Sequence, residues 1–256
     1  MKLTKYMRKI YLFIYLTLIG TICSQLSINS LPISLKHQLN DNIPIFKLED
    51  IDVDFLLNED QVNYKSNLAY RFGYRVPVDI NFFDYASYDI LDSGDRVYRL
   101  EIYAPEAYSI NMIFNNFFIP EKGELFIYNH DYSHMIGAFT HLNNKSHQRF
   151  SISPVSGERI IIEYYEPKGM HTISKINIES IIHGYKDTFY RGDRGYNDSE
   201  PCHNNVNCAE AQPWNDEINS VVLTLTDGGT RLCSGAMINN VNEDFEMYFL
   251  TSETCL

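Results

Sequence analysis

A chain of 256 residues, 45% of them apolar, is long enough for one or two cores, and an aromatic content of 14%, mostly 19 Tyr and 15 Phe, favours a β-rich globular protein over wholesale disorder. The formal net charge of -12 is spread along the chain, which repels a phosphate backbone and argues against nucleic acid as a partner.

At the N-terminus Lys2, Lys5, Arg8 and Lys9 make a basic head before residues 10–22, which are uncharged, mostly apolar and short for a membrane span. Residues 1–24 are therefore expected to be a secretory signal peptide rather than a retained anchor, giving a secreted or periplasmic chain with no stable membrane span after its removal. Lipidation at Cys23 is the weaker alternative, because such a processing site wants a small residue where Ile22 stands.

Residues 25–69 mix short apolar groups with acidic ones and keep no sustained period, so they are expected to form a flexible leader with no site. An alternation of Ile51, Val53 and Phe55 leaves open one short strand added to the next domain. From Tyr70 the texture changes. Val76, Val78 and Ile80 alternate with Pro77, Asp79 and Asn81 in the period of a half-buried strand, and the proline favours a sheet edge.

Further strand-like runs cover 96–103, 109–114, 123–128 and 159–165, punctuated by turn-forming groups at 92–95, 120–123, 143–145 and 154–157. Many short strands with no long helical pattern between them predict a β-sandwich over 70–188. Residues 189–200 are polar and glycine-containing and read as a linker open to processing. Beyond it, 221–226 and 231–238 read as two strands about the tight turn Asp227-Gly228-Gly229-Thr230, and 248–251 as a third.

Once the signal is removed, four cysteines remain: Cys202, Cys208, Cys233 and Cys255, spaced by six, 25 and 22 residues. An oxidising compartment makes them structural disulfides in preference to redox or metal groups, and no Cys-x-x-Cys unit is present.

In the final stretch Cys202 and Cys208 flank His203-Asn204-Asn205-Val206-Asn207, Thr230-Arg231-Leu232-Cys233-Ser234-Gly235-Ala236-Met237-Ile238-Asn239-Asn240 follows, and Met247-Tyr248-Phe249-Leu250-Thr251 precedes Cys255. In these three segments the chain is similar to secreted lysyl endopeptidase-like members of the trypsin-like serine proteases. The likeness implies an incomplete trypsin-like β-barrel segment over 201–256.

The sandwich resembles the domain that precedes the protease domain in long members of the group. This rests on Gly94-Asp95-Arg96-Val97-Tyr98-Arg99-Leu100, Ala107-Tyr108-Ser109-Ile110-Asn111, Leu125-Phe126-Ile127-Tyr128-Asn129 and Glu163-Tyr164-Tyr165-Glu166-Pro167. That resemblance implies a propeptide-like or accessory role.

By the same resemblance Cys233 and Cys255 would bond to each other, with Cys202 and Cys208 paired further along, where this chain has no partner. A Cys202–Cys208 pair stays open as the alternative. The resemblance also places the catalytic histidine at Thr254, whose hydroxyl is no base near neutral pH. Glu253 beside it points elsewhere, Ser234 falls in a strand rather than at a nucleophile, and no segment matches the carboxylate or nucleophile region.

The pairs His130 with His134 and His141 with His147 lack a third ligand at motif spacing, so neither metal nor cofactor is expected. His203 reads as a loop residue. The expectation is an inactive, truncated homologue of a secreted serine endopeptidase. A secreted sandwich binding a protein or glycan ligand is the rival.

Overall fold

The computed structural model describes residues 27–28, 30–65, 70–187, 208–242 and 248–253. The predicted signal peptide and the linker 189–200 lie outside them.

Among the described residues fourteen strands fall into three sheets. They are β1 (Ile45–Lys47), β2 (Tyr74–Asn81), β3 (Ser87–Ile90), β4 (Arg96–Tyr103), β5 (Ser109–Phe118), β6 (Glu124–Asn129), β7 (Met135–Phe139), β8 (Phe150–Ser151), β9 (Val155–Ser156), β10 (Arg159–Glu166), β11 (Lys175–Gly184), β12 (Val221–Leu225), β13 (Arg231–Ile238) and β14 (Tyr248–Thr251). A six-stranded sheet runs β1-β4-β10-β6-β7 with β3 also on β4. A five-stranded sheet runs β2-β11-β5-β8 with β9 also on β5. The third sheet is β12-β13-β14. No closed barrel is present among the described residues.

Two of these sheets make a mainly β, sandwich-like body because their strands alternate. Leu100 and Ile102 of β4, Leu125 and Ile127 of β6, and Ile160, Ile162 and Tyr164 of β10 share one buried cluster with Ile110, Met112 and Phe114 of β5 and Ile178 and Ile181 of β11. Adjacent residues on a strand point to opposite faces, so these sets mark the two inner faces. Pro77 lies in β2, which among the described strands pairs with β11 alone and is therefore an edge strand, where a proline is tolerated.

Unlike a half-solvated sandwich strand, β10 also buries its outer face, where Ile161 joins Phe126, Tyr128 and Ala138 in a second cluster. The cover comes from the segment expected to be a flexible leader. Ile28 exchanges main-chain hydrogen bonds with Ala138 at 3.1 and 3.2 Å, Ile43 packs on the second cluster, and β1 pairs in parallel with β4. The alternation at Ile51, Val53 and Phe55 does not become a strand. Asp52 Oδ1 accepts the N–H of Phe55 at 2.9 Å and caps the helix Val53–Lys65.

The carboxylate of Glu163, wholly buried on that outer face, accepts the N–H groups of Ile33 (2.6 Å) and Ser34 (3.3 Å) and the hydroxyl of Tyr128 (2.7 Å). A buried carboxylate needs such donors to offset its lost hydration. No helix among the described residues is long and apolar enough to cross a membrane.

Candidate functional site

The third sheet touches the sandwich through the tip of its first hairpin. β12 and β13 are antiparallel, and the turn between them closes with Thr226 N–H donating to Thr230 O at 2.9 Å and Gly229 N–H to Thr226 O at 3.3 Å. Gly229 sits at φ +78, a conformation that favours glycine. Its carbonyl accepts two main-chain N–H groups of the sandwich, Phe72 at 2.9 Å and Gly73 at 3.1 Å, while Arg71 bridges Thr230. The approach is close: a Cβ on Gly229 would lie 2.4 Å from Gly73 O. Leu225 of β12 packs on Phe72, Ile113 and Ile182, the apolar patch on the outer face of the five-stranded sheet.

Charges ring this contact. Arg75 meets Asp227 of the turn and Glu179 of β11, both at 3.1 Å, and Arg149 reaches Glu179 at 3.2 Å. On the adjoining side Arg71 holds Asp60 (2.9 Å) and Glu59 (3.0 Å) of the helix Val53–Lys65, and Asp60 also takes Lys186 Nζ (2.6 Å) and the Tyr185 hydroxyl (2.7 Å). Burial raises the Asp60 pKa, but the hydrogen bonds from Lys186 and Tyr185 and the charges of Lys186 and Arg71 outweigh it, leaving the carboxyl below its ordinary range.

Of the residues singled out in the sequence, Cys202, His203, Thr254 and Cys255 lie outside the described residues. Cys233 is disulfide-bonded and lies opposite Thr224, which donates its hydroxyl to Cys233 O at 2.8 Å. Cys208 is a free thiol at the start of the short helix Ala209–Trp214. Ser234 is exposed on β13 and Glu253 is exposed beyond β14.

The structure does not bring the histidine pairs together as ligand sets. His130 Nε2 contacts Glu101 at 2.8 Å, His134 Nδ1 meets Ser156, and His147 Nδ1 accepts the N–H of Arg149 at 3.1 Å. Among the described residues no three His, Cys, Asp or Glu side chains converge to hold a metal ion.

A serine–histidine contact that sequence reading missed joins Ser156 Oγ and His134 Nδ1 at 3.2 Å. The same nitrogen accepts the main-chain N–H of Ser156 at 3.1 Å, so its lone pair is committed and cannot take the hydroxyl proton in the manner of a general base. Burial lowers the pKa of this imidazole, which keeps it neutral and in the accepting form. It braces the 129–135 turn against β9.

Phe72, Gly73 and Arg75 were also missed as a site. The available signal was the compact Arg71-Phe72-Gly73-Tyr74-Arg75, a glycine and two cations at the entry to an edge strand.

The hairpin held by these residues belongs to a recognisable stretch. Residues 196–256 match the family model of the lysyl endopeptidase C-terminal domain. The likeness is partial, confined to that stretch, and takes in β12, β13 and β14. No solved structure matches the chain.

Proposed function

We propose that this chain is an exported, non-cleaving homologue of a lysyl endopeptidase-type serine protease, with its sandwich serving as a propeptide-like accessory domain that holds the first hairpin of a trypsin-like segment. The observation that carries the reading is the grip of Phe72 and Gly73 on Gly229, because it joins the sandwich to the stretch that matches the peptidase family. The proposed division is a signal peptide to residue 24, the sandwich body with its N-terminal cover, a linker at 189–200 and the protease-like segment from 201.

Absence of cleavage follows from Thr254. Acyl transfer by this route needs an imidazole to take the serine proton, and a threonine hydroxyl does not accept it near neutral pH. A disulfide from Cys233 to Cys255 would close the loop that ends at this position.

The test is turnover by the purified chain of casein and of lysyl and arginyl peptide esters. No hydrolysis above buffer is expected. Hydrolysis abolished by a serine-directed inhibitor would overturn the proposal.

A further inference from the structure

At the end of the sandwich away from Gly184, the two sheets part around a groove of about 650 Å³, within the size range of small-ligand sites. Three amides from three different strands face it: Asn81 closes β2, Asn116 lies in β5 and Asn177 in β11. Asn116 takes φ +46 where the β5–β11 register slips between Lys175 and Asn177. Among the described residues the exposed amides of Asn81 and Asn116 have no hydrogen-bond partner, whereas Asn177 spends both amide hydrogens on Asp79 (2.9 Å) and Asn115 (2.7 Å), leaving its oxygen as an acceptor.

Opposite them stand Arg96 and Glu166 of the six-stranded sheet, joined as an ion pair, with Phe83 and Tyr98 behind.

We propose that this groove binds a neutral oligosaccharide. An amide both donates and accepts, which is what the hydroxyls of a sugar require, and three amides on separate strands fix an arrangement that one mobile loop would not. The half-buried Phe83 and Tyr98 rings, packed edge to face on one another with the Arg96 guanidinium over Tyr98, form an apolar wall of the groove with the Tyr98 hydroxyl as a polar tip. Burial raises the pKa of that hydroxyl, so it stays protonated and able to donate.

Charge gives an anion little hold: Arg96 is compensated by Glu166, and the other lysine or arginine of the lining, Lys175, is a single exposed ammonium at the start of β11. An extended peptide would need a free strand edge to donate main-chain hydrogen bonds, and only the last residue of edge strand β2 faces the groove. The inference is independent of whether the C-terminal segment cleaves anything.

The experiment is calorimetric titration of the purified full chain with cellotetraose, laminaritetraose, xylotetraose, mannotetraose and chitotetraose, with a neutral peptide library as comparison. Saturable binding of at least one sugar with a dissociation constant of about 1 mM or tighter is expected. Asn81→Ala and Asn116→Gly should each weaken it about tenfold, the loss expected for one hydrogen bond. Both should leave Tm unchanged, since Asn81 makes no capping bond and glycine accepts the Asn116 backbone. No binding of any of these sugars at about 10 mM, binding untouched by both substitutions, or saturable peptide binding in its place overturns the proposal.

Discussion

The carbonyl of Gly229 accepts the N–H of Phe72 at 2.9 Å, a main-chain bond between residues 157 positions apart that ties the turn of the third sheet to the entry of β2. Its geometry depends on Gly229 having no side chain where it meets the Gly73 backbone. Gly229→Ala forces a methyl group to within 2.4 Å of Gly73 O at a φ of +78, and this should cost about 1–3 kcal/mol. Faster hydrogen exchange in β12 and β13, with β4 and β10 unaffected, is the expected readout.

The ion pairs around that contact should matter less. Arg75 and Asp227 are 31% and 58% exposed, so solvent and salt screen them. Asp227→Ala is expected to change stability by less than about 1 kcal/mol. If Asp227→Ala releases the hairpin as fully as Gly229→Ala does, charge rather than backbone geometry holds the contact.

Glu163→Ala strands the N–H groups of Ile33 and Ser34 and leaves the Tyr128 hydroxyl with the Ser34 hydroxyl as its remaining partner. Leaving buried groups unpaired costs about 1–3 kcal/mol each before relaxation, so a total loss of about 3 kcal/mol is expected in urea unfolding. Glu163→Gln keeps acceptor capacity and should recover part of it. Equal stability of both variants and the parent chain would show that the N-terminal cover contributes nothing.

Acid should loosen the Asp60 cluster. Its folded pKa lies below the reference value of 3.8, so its contribution is present above that value and is lost as pH falls through the lowered folded pKa. Thermal unfolding followed from pH 6 down to about pH 2 should show Asp60→Asn less stable near neutrality and less sensitive to acid than the parent chain. Parallel acid limbs for the two proteins would remove Asp60 from this role.

The third sheet leaves Val221, Leu223, Ile238, Tyr248 and Leu250 exposed, the last at 59%. Apolar strands with open edges associate, so the chain should sediment as concentration-dependent oligomers, and Val221→Lys with Leu250→Lys should shift it toward monomer. A monomer at all concentrations before substitution contradicts this.

Much of the β architecture was legible because strand periodicity survives in the residues: β4 and β13 span the runs read from sequence, and Pro77 marked an edge. The packed N-terminal cover was not, since its contacts are main-chain bonds and isolated side chains such as Ile33 and Ile43, which leave no period. A hint lay in Ile160-Ile161-Ile162, a continuous apolar run that a strand with one wet face does not need. The hairpin contact was half visible, as a turn whose receptor is an ordinary-looking glycine. Side chains that meet across long separations, such as Ser156 and His134, leave no local trace at all.

Because Ile33 and Ser34 lie over Glu163 and β1 pairs along the edge of β4, an excised piece beginning at residue 70 would be an open sandwich with a charged, uncovered flank. Dissection of this molecule therefore has to start its first cut upstream of Ile28, and any ligand screen on a shorter fragment would report on a surface that the whole chain never presents.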